Sequence, residues 1–358
     1  MEWDNMAFEI VCCLELGDST ICHHLKGIAL HPLVSRLWIV RSRRSSYAEI
    51  TKSEYVLAES GCKPIRWLQM RRHCLRLGQR PEVKAFVSFN PIPYGLIAYQ
   101  AARRYNKPIH FGFIGSDWYR DVKGKWGPWL LPTLRKGDFF TTTGGQMRTE
   151  LMEHGFAENK IRVLPHCVDL DHYPVADPGR ARYSCVFIGR LIPLKRVDLI
   201  LHAFAQVVKK HPRARLCIVG EGPLEGELKK LTADLGLVQA VDFTGQVADV
   251  QPYLADARMV LIASDREGFP FSLVEGIASG VVPVTTGVGT IPDMLTDGQN
   301  CLMFAKDDSR ALADCIGKLL DDQAKYELIR KNVIQLRSSF SYDRATEVWD
   351  AWLRRQDQ

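Results

Sequence analysis

The 358-residue sequence has no C-x-x-C pair, no internal repeat, no low-complexity tract and no apolar run long enough to cross a bilayer. Its ten cysteines are scattered, several inside apolar runs such as YSCVFIG around Cys185 and LCIVG around Cys217. Cysteines placed that way are small buried hydrophobes of a reducing compartment, which excludes a zinc ribbon and a disulfide framework. The longest uncharged stretch, Ala85 to Ala102, contains Asn90, Pro91, Pro93 and Gly95, so it is no spanning helix. The first residues, MEWDNM, lack the charged-then-apolar plan of a secretory leader, and a cytoplasmic protein is expected. Asp169-Leu170-Asp171 has the D-x-D spacing of some metal sites. It leads into a linker rather than closing an internal strand, so no metal is expected.

Charge is short on one side only. Residues 1–173 hold 24 basic and 17 acidic residues, a net of +7, whereas residues 174–358 hold 23 and 24, a net of −1. A basic surplus confined to the first half favours an anionic partner there. Trp118, Trp126 and Trp129 lie among Lys123, Lys125, Arg135 and Lys136, a mixture that suits an anionic membrane surface. The alternative is a helical hairpin packed on its own domain.

What is abundant is alternation. In the second half, short apolar runs (184–189, 214–220, 241–245, 258–264, 281–286 and 301–304) alternate with amphipathic stretches. Fully apolar strands separated by helices imply a parallel sheet covered on both faces. The first half shows the same alternation at 8–14, 36–40, 84–89, 108–115 and 138–143. Segment 174–183, rich in proline, glycine and arginine, reads as the linker. The expectation is an α/β protein: an acceptor-binding Rossmann-like domain over 1–173, a donor-binding one over 184–340, and a final segment over 341–358. Two doubly wound domains would face one another across a cleft at the carboxyl ends of their strands.

Two constellations carry chemistry. Gly189 and Arg190 follow an apolar run, and Lys195 and Arg196 come one loop later, before a helix. A strand end, a helix start and two cations describe a diphosphate seat. In DREGFPFSLVEGIASG, Glu267 and Glu275 stand eight residues apart and bracket a helix start. Phe271, Ser272 and Leu273 would offer backbone N–H groups to an anion there. The two carboxylates would accept hydrogen bonds from a sugar and from a ribose. Gly220-Glu221-Gly222 followed by Gly226 has its third glycine one residue late for a dinucleotide fingerprint, and Gly222 reads instead as a tight turn.

The order Arg190, Lys195, VGEGP (219–223), FTGQVADVQPYL (243–254), Glu267-x7-Glu275, SGVVPV (279–284) and GTIPD (289–293) resembles the retaining glycosyltransferases of family four, which adopt the GT-B fold. The likeness covers about 184–305. It continues through KIRVLPHCVDLDHYP (160–174) and FSYDRATEVWDAWL (340–353), the latter similar to the family's final helix that crosses back to the first domain. It implies that Arg190 and Lys195 bind the donor diphosphate, that Glu267 holds the transferred sugar and that Glu275 binds the ribose. It also implies that the backbone of Gly245–Val247 contacts the base. Asp293 stands where the family more often has Glu.

The first half departs from that pattern. A single Gly17 replaces the Gly-Gly loop after the first strand, and Ile114-Gly115-Ser116-Asp117 keeps the acidic residue of H-G-x-D without its histidine. His110 reads as structural. Asp117 is the acceptor-side catalytic candidate, with Asn90 and Tyr94 beside it. The resemblance implies a retaining, metal-independent hexosyltransferase that uses a UDP- or GDP-sugar, needs no cofactor and glycosylates a glycan or lipid-linked acceptor. Nucleic acid is not an expected partner. The alternatives are a sugar-nucleotide-binding regulator without transferase activity, a sugar-nucleotide epimerase on the same fold and, from another class, a dinucleotide-dependent oxidoreductase.

Overall fold

A computed structural model describes residues 7–45, 50–115, 118, 122–125, 127–164 and 166–356. The chain forms two compact units, Met1–Cys167 with Tyr342–Gln358, and Val168–Ser341.

The first unit holds seven parallel strands: β1 (Phe8–Cys13), β2 (Val34–Arg41), β3 (Ser53–Leu57), β4 (Val83–Ser88), β5 (Ile109–Phe113), β6 (Phe139–Thr142) and β7 (Ile161–Val163). Their order is β3-β2-β1-β4-β5-β6-β7. β3 and β7 escape the reading of apolar runs. SEYVL is half polar, and IRV is only three residues long. Every residue of β1 is buried, as expected of a central strand with helices on both faces. The final helix, Tyr342–Leu353, packs here. It buries Tyr342, Ala345, Val348, Trp349, Trp352 and Leu353, the spacing of one helical face. It lies against the helix Asp18–Ala29, where a Cβ on Gly27 would stand 2.6 Å from the Ala345 Cβ. Only glycine permits so close an approach.

The second unit holds β8 (Tyr183–Ile188), β9 (Leu216–Val219), β10 (Val241–Gly245), β11 (Ala257–Ile262), β12 (Val282–Thr286) and β13 (Leu302–Phe304), in the order β10-β9-β8-β11-β12-β13. Segment 174–183 is not a free linker but part of this unit. Tyr173, Ala176 and Tyr183 are buried in its core, the Ala176 N–H donates to Ser279 O at 2.8 Å, and Arg330 donates to Ala176 O at 2.6 Å. Proline and glycine mark irregular backbone there without marking a boundary.

Both sheets reverse direction once, at β1/β4 and at β8/β11. The loops that leave neighbouring carboxyl ends diverge at such a reversal, and open α/β sheets bind ligands there.

Candidate functional site

In the second unit, the residues singled out from the sequence lie on loops leaving the carboxyl ends of β8 to β12 or on the helix after β11. The loop after β8 turns through Pro193–Lys195 into the helix Val197–Lys210, and the loop after β11 leads into the helix Phe271–Ala278. The Asp265 N–H donates to Leu194 O at 3.0 Å and ties the two loops together across the reversal. Glycine sets their spacing. A Cβ on Gly222 would stand 2.4 Å from Leu191 O, and one on Gly289 (φ +60°) would stand 1.9 Å from Glu267 O.

Lys195 Nζ donates to Glu267 Oε1 at 2.6 Å, and Ser264 Oγ donates to the same oxygen at 2.5 Å. The Glu267 side chain is 8% exposed and that of Lys195 22%. The cation and the hydroxyl donor offset the cost of holding this side chain away from water. No described residue bonds Glu267 Oε2. Three cations in this loop region therefore have three different states. Arg190 is exposed and has no ion-pair partner among the described residues. Lys195 is shared with Glu267. Arg196 is taken up by Asp198, Asp265 and Asp307, and its bonds to Asp198 and Asp307 hold its guanidinium far above the usual range.

Glu275 joins a second polar cluster. Its Oε1 accepts from the Tyr173 hydroxyl at 3.0 Å, and burial holds its carboxyl above the ordinary value despite that bond. His172 Nε2 lies 3.1 Å from Asp249 Oδ1, and both groups act electrostatically on Glu275. Asp249 follows the turn at Gly245 (φ +70°) and the half-buried Val247. Phe271 and Ser272 begin the helix Phe271–Ala278, and the Ser272 N–H bonds to no described group. Leu273 is a correction. Its N–H donates to Pro270 O at 3.2 Å and its side chain is core, because the turn at Pro270 closes on itself. Asp293 is exposed on the short helix Ile291–Met294. Asp169 Oδ1 accepts the Asp171 N–H at 3.2 Å, the geometry of an Asx turn.

The first unit satisfies its strand ends internally. Asn90 Oδ1 accepts the Glu15 N–H at 2.9 Å and joins the loops after β1 and β4. Where the family's Gly-Gly loop is missing, the Glu15 carboxylate accepts the Ser42 N–H and hydroxyl at 2.9 Å each. The fully buried Arg41 bonds Glu15 at 3.4 Å and Asp18 at 3.1 Å. Tyr94 is half-buried, and burial holds its hydroxyl above the ordinary value. His110 is fully buried, with Nε2 at 2.8 Å from Thr141 Oγ1 and its ring 4.7 Å from that of Trp349. It is structural. Asp117 lies outside the described residues, as does Trp126. Trp118 does not fit the membrane-surface reading: it is fully buried, with its indole N–H bonded to Glu150 at 2.8 Å. Trp129 is 80% exposed.

Three partners escaped the sequence reading: Ser264, Tyr173 and the Arg41–Glu15–Asp18 group. Ser264 carried a usable signal as the polar end of the apolar run RMVLIAS, three residues before Glu267.

Residues 182–322 match the family model described as Glycosyl transferases group 1. An exopolysaccharide phosphotransferase of Streptomyces coelicolor is 31% identical over 199 residues, covering 55% of this chain and 21% of that protein. A D-inositol 3-phosphate glycosyltransferase of Acidothermus cellulolyticus is 33% identical over 229 residues, covering 58% of this chain and 50% of that protein. The chain thus spans half or less of the length of these curated relatives. Anabaena HepE, solved in complex with UDP, superimposes with a TM-score of 0.78 at 17% identity, covering 97% of this chain and all of that one. The fold is GT-B, and residues 182–322 are similar to the glycosyl transferases group 1 family.

Proposed function

We propose that the protein transfers a hexose from a nucleoside-diphosphate sugar to an acceptor hydroxyl, with retention of configuration and without a metal ion. One observation carries this reading: the Lys195–Glu267–Ser264 cluster at the carboxyl ends of β8 and β11, with Arg190 unpaired beside it in the chain. Arg190, Lys195 and the Ser272 N–H take the charge that gathers on the departing diphosphate, which is preorganised electrostatic stabilisation. Glu267 holds a sugar hydroxyl and Glu275 the ribose. The acceptor oxygen forms its bond to the anomeric carbon on the face the diphosphate leaves, and a β-phosphate oxygen takes the acceptor proton. The first unit takes the acceptor, a glycan or lipid-linked one, with Asn90, Tyr94 and Asp117 as its contacts.

The family match and the likeness to a UDP-bound GT-B structure support this reading and favour neither a regulator nor an epimerase. The test is incubation with UDP- and GDP-sugars and a mixed acceptor extract, read by mass spectrometry of the products. Transfer in the presence of a chelator, with the product's anomeric configuration matching the donor's, is the expected result. Binding with neither transfer nor donor hydrolysis would favour the regulator.

A further inference from the structure

The Glu267 carboxylate offers a ligand one oxygen, because Oε1 is filled by Lys195 and Ser264 while Oε2 has no described partner. Whether that oxygen meets a sugar hydroxyl depends on where the loop after β11 holds it. A loop beyond the end of a sheet has no ladder to fix it, and its buried carbonyl oxygens need donors from elsewhere.

Those donors come from the end of β12. The β11–β12 ladder runs as far as Ile262 and Thr285. Beyond it, two threonine hydroxyls continue the bonding between the loops. Thr286 Oγ1 donates to Ser264 O at 2.9 Å, three residues before Glu267. Thr290 Oγ1 donates to Gly268 O at 2.7 Å, one residue after it. Thr286, Thr290 and Ser264 are all buried. Between the two bonds, the turn at Gly289 lies directly against the Glu267 peptide. Ser264 links backbone to side chain: its carbonyl is held by Thr286, and its hydroxyl holds Glu267 Oε1. The bracing turn is itself closed, with the Val288 N–H donating to Thr286 O at 3.0 Å and the Ile291 N–H to Val288 O at 3.2 Å. Ile291 is fully buried and anchors it in the core.

We propose that Thr286 and Thr290 are positioning residues that fix Glu267 Oε2 for a single hydroxyl of the donor's sugar, and so set which sugar the site accepts. A carboxylate oxygen held in one place rewards a hydroxyl at one ring position and configuration. A sugar lacking that hydroxyl leaves a desolvated charge without its donor, which is how a polar site rejects an analogue. On an unbraced loop the same carboxylate would follow either epimer. Neither threonine bonds Arg190, Lys195 or Glu275, so the nucleoside diphosphate keeps its own contacts. The inference rests on the transferase reading, in which Glu267 holds a sugar hydroxyl.

Titration calorimetry with UDP, GDP, UDP-glucose, UDP-galactose, UDP-N-acetylglucosamine and GDP-mannose tests it. The readout is the affinity for a nucleotide sugar divided by that for its parent nucleoside diphosphate. Valine keeps the shape of threonine and removes the donor. Thr286→Val and Thr290→Val should each lower the ratio for the preferred sugar roughly fivefold and narrow its lead over the other sugars. Nucleoside-diphosphate affinity should stay unchanged in both, which shows that the second unit is folded. Thr286→Ser and Thr290→Ser keep the hydroxyl and should retain the ratio. In a Glu267→Gln background the valine substitutions should change the ratio no further, because they act through that carboxylate. Nucleotide binding with a ratio that the valine variants leave unchanged, or lower equally in the Glu267→Gln background, would overturn the proposal and leave the transferase reading in place. An unaltered protein that binds nucleotide and discriminates among none of these sugars would do the same. Binding of neither UDP nor GDP by the unaltered protein would overturn both.

Discussion

At the strand reversal of the second unit, Lys195 and Glu267 meet at 2.6 Å while Glu267 Oε2 and Arg190 have no described partner. At the reversal of the first unit, Asn90 is closed on the Glu15 N–H, and the Glu15 carboxylate is filled by Ser42 and Arg41. The strand order is the same and the use of the strand ends is opposite. One unit leaves charged atoms available to a ligand, while the other uses its own to hold neighbouring loops in place. A topology thus says where a ligand can sit, and the residues at the strand ends say which charged groups are left to meet it.

The largest expected effect falls on turnover. Lys195→Ala and Glu267→Gln should each lower transfer by roughly a hundredfold or more, since both groups act where charge develops. They should differ in other respects. Glu267→Gln should leave free nucleoside-diphosphate affinity nearly intact. Lys195→Ala strands a buried carboxylate and should also destabilise the second unit by about 1–3 kcal/mol. Steady-state kinetics combined with urea unfolding checks both expectations.

Acid should separate the two units next. His24 is pushed down to about 3 by burial, and burial also lowers His23, His110 and His166, all in the first unit. A histidine neutral in the fold and protonated when unfolded contributes full stability above its unfolded value near 6.5. That contribution falls as pH drops toward the folded value. The loss is up to about 1.4 kcal/mol per histidine per pH unit. Between pH 7 and 5 the first unit should melt at falling temperature ahead of the second, as calorimetry would show. Coincident melting of both units across that range would break the comparison.

Smaller effects sharpen it. Arg190→Ala should weaken nucleoside-diphosphate binding about tenfold, the loss of a charge-assisted contact. Its exposure predicts no change in melting temperature. Glu275→Ala should weaken the nucleotide itself. Tyr173→Phe should do so to a lesser extent, roughly threefold, because it removes only a hydrogen bond that orients Glu275. Titration calorimetry resolves the series.

The second unit is the more legible in sequence. Its strands are apolar runs, and its charged residues stand at run ends, where chemistry and position coincide. The partners were not legible. Nothing local says that Lys195 reaches Glu267 72 residues away, that Arg196 is consumed by Asp198, Asp265 and Asp307, or that Tyr173, inside an apparent linker approach, bonds Glu275. The Leu273 N–H was misjudged because a proline turn, invisible in composition, takes it up. In the first unit, Trp118 shows the same limit. A tryptophan among lysines suits a membrane surface or a core equally, and only its bond to Glu150 decides.

A nucleoside-diphosphate sugar seated at the carboxyl ends of β8 and β11 is the feature on which the proposed transfer depends. Titration calorimetry of the intact protein with UDP and GDP, alongside Arg190→Ala and Glu275→Ala, tests it most directly. Saturable binding of one of the two nucleotides is expected, weakened in both variants while their melting temperatures hold. Binding of neither nucleotide, or affinity unchanged in both variants, would contradict it.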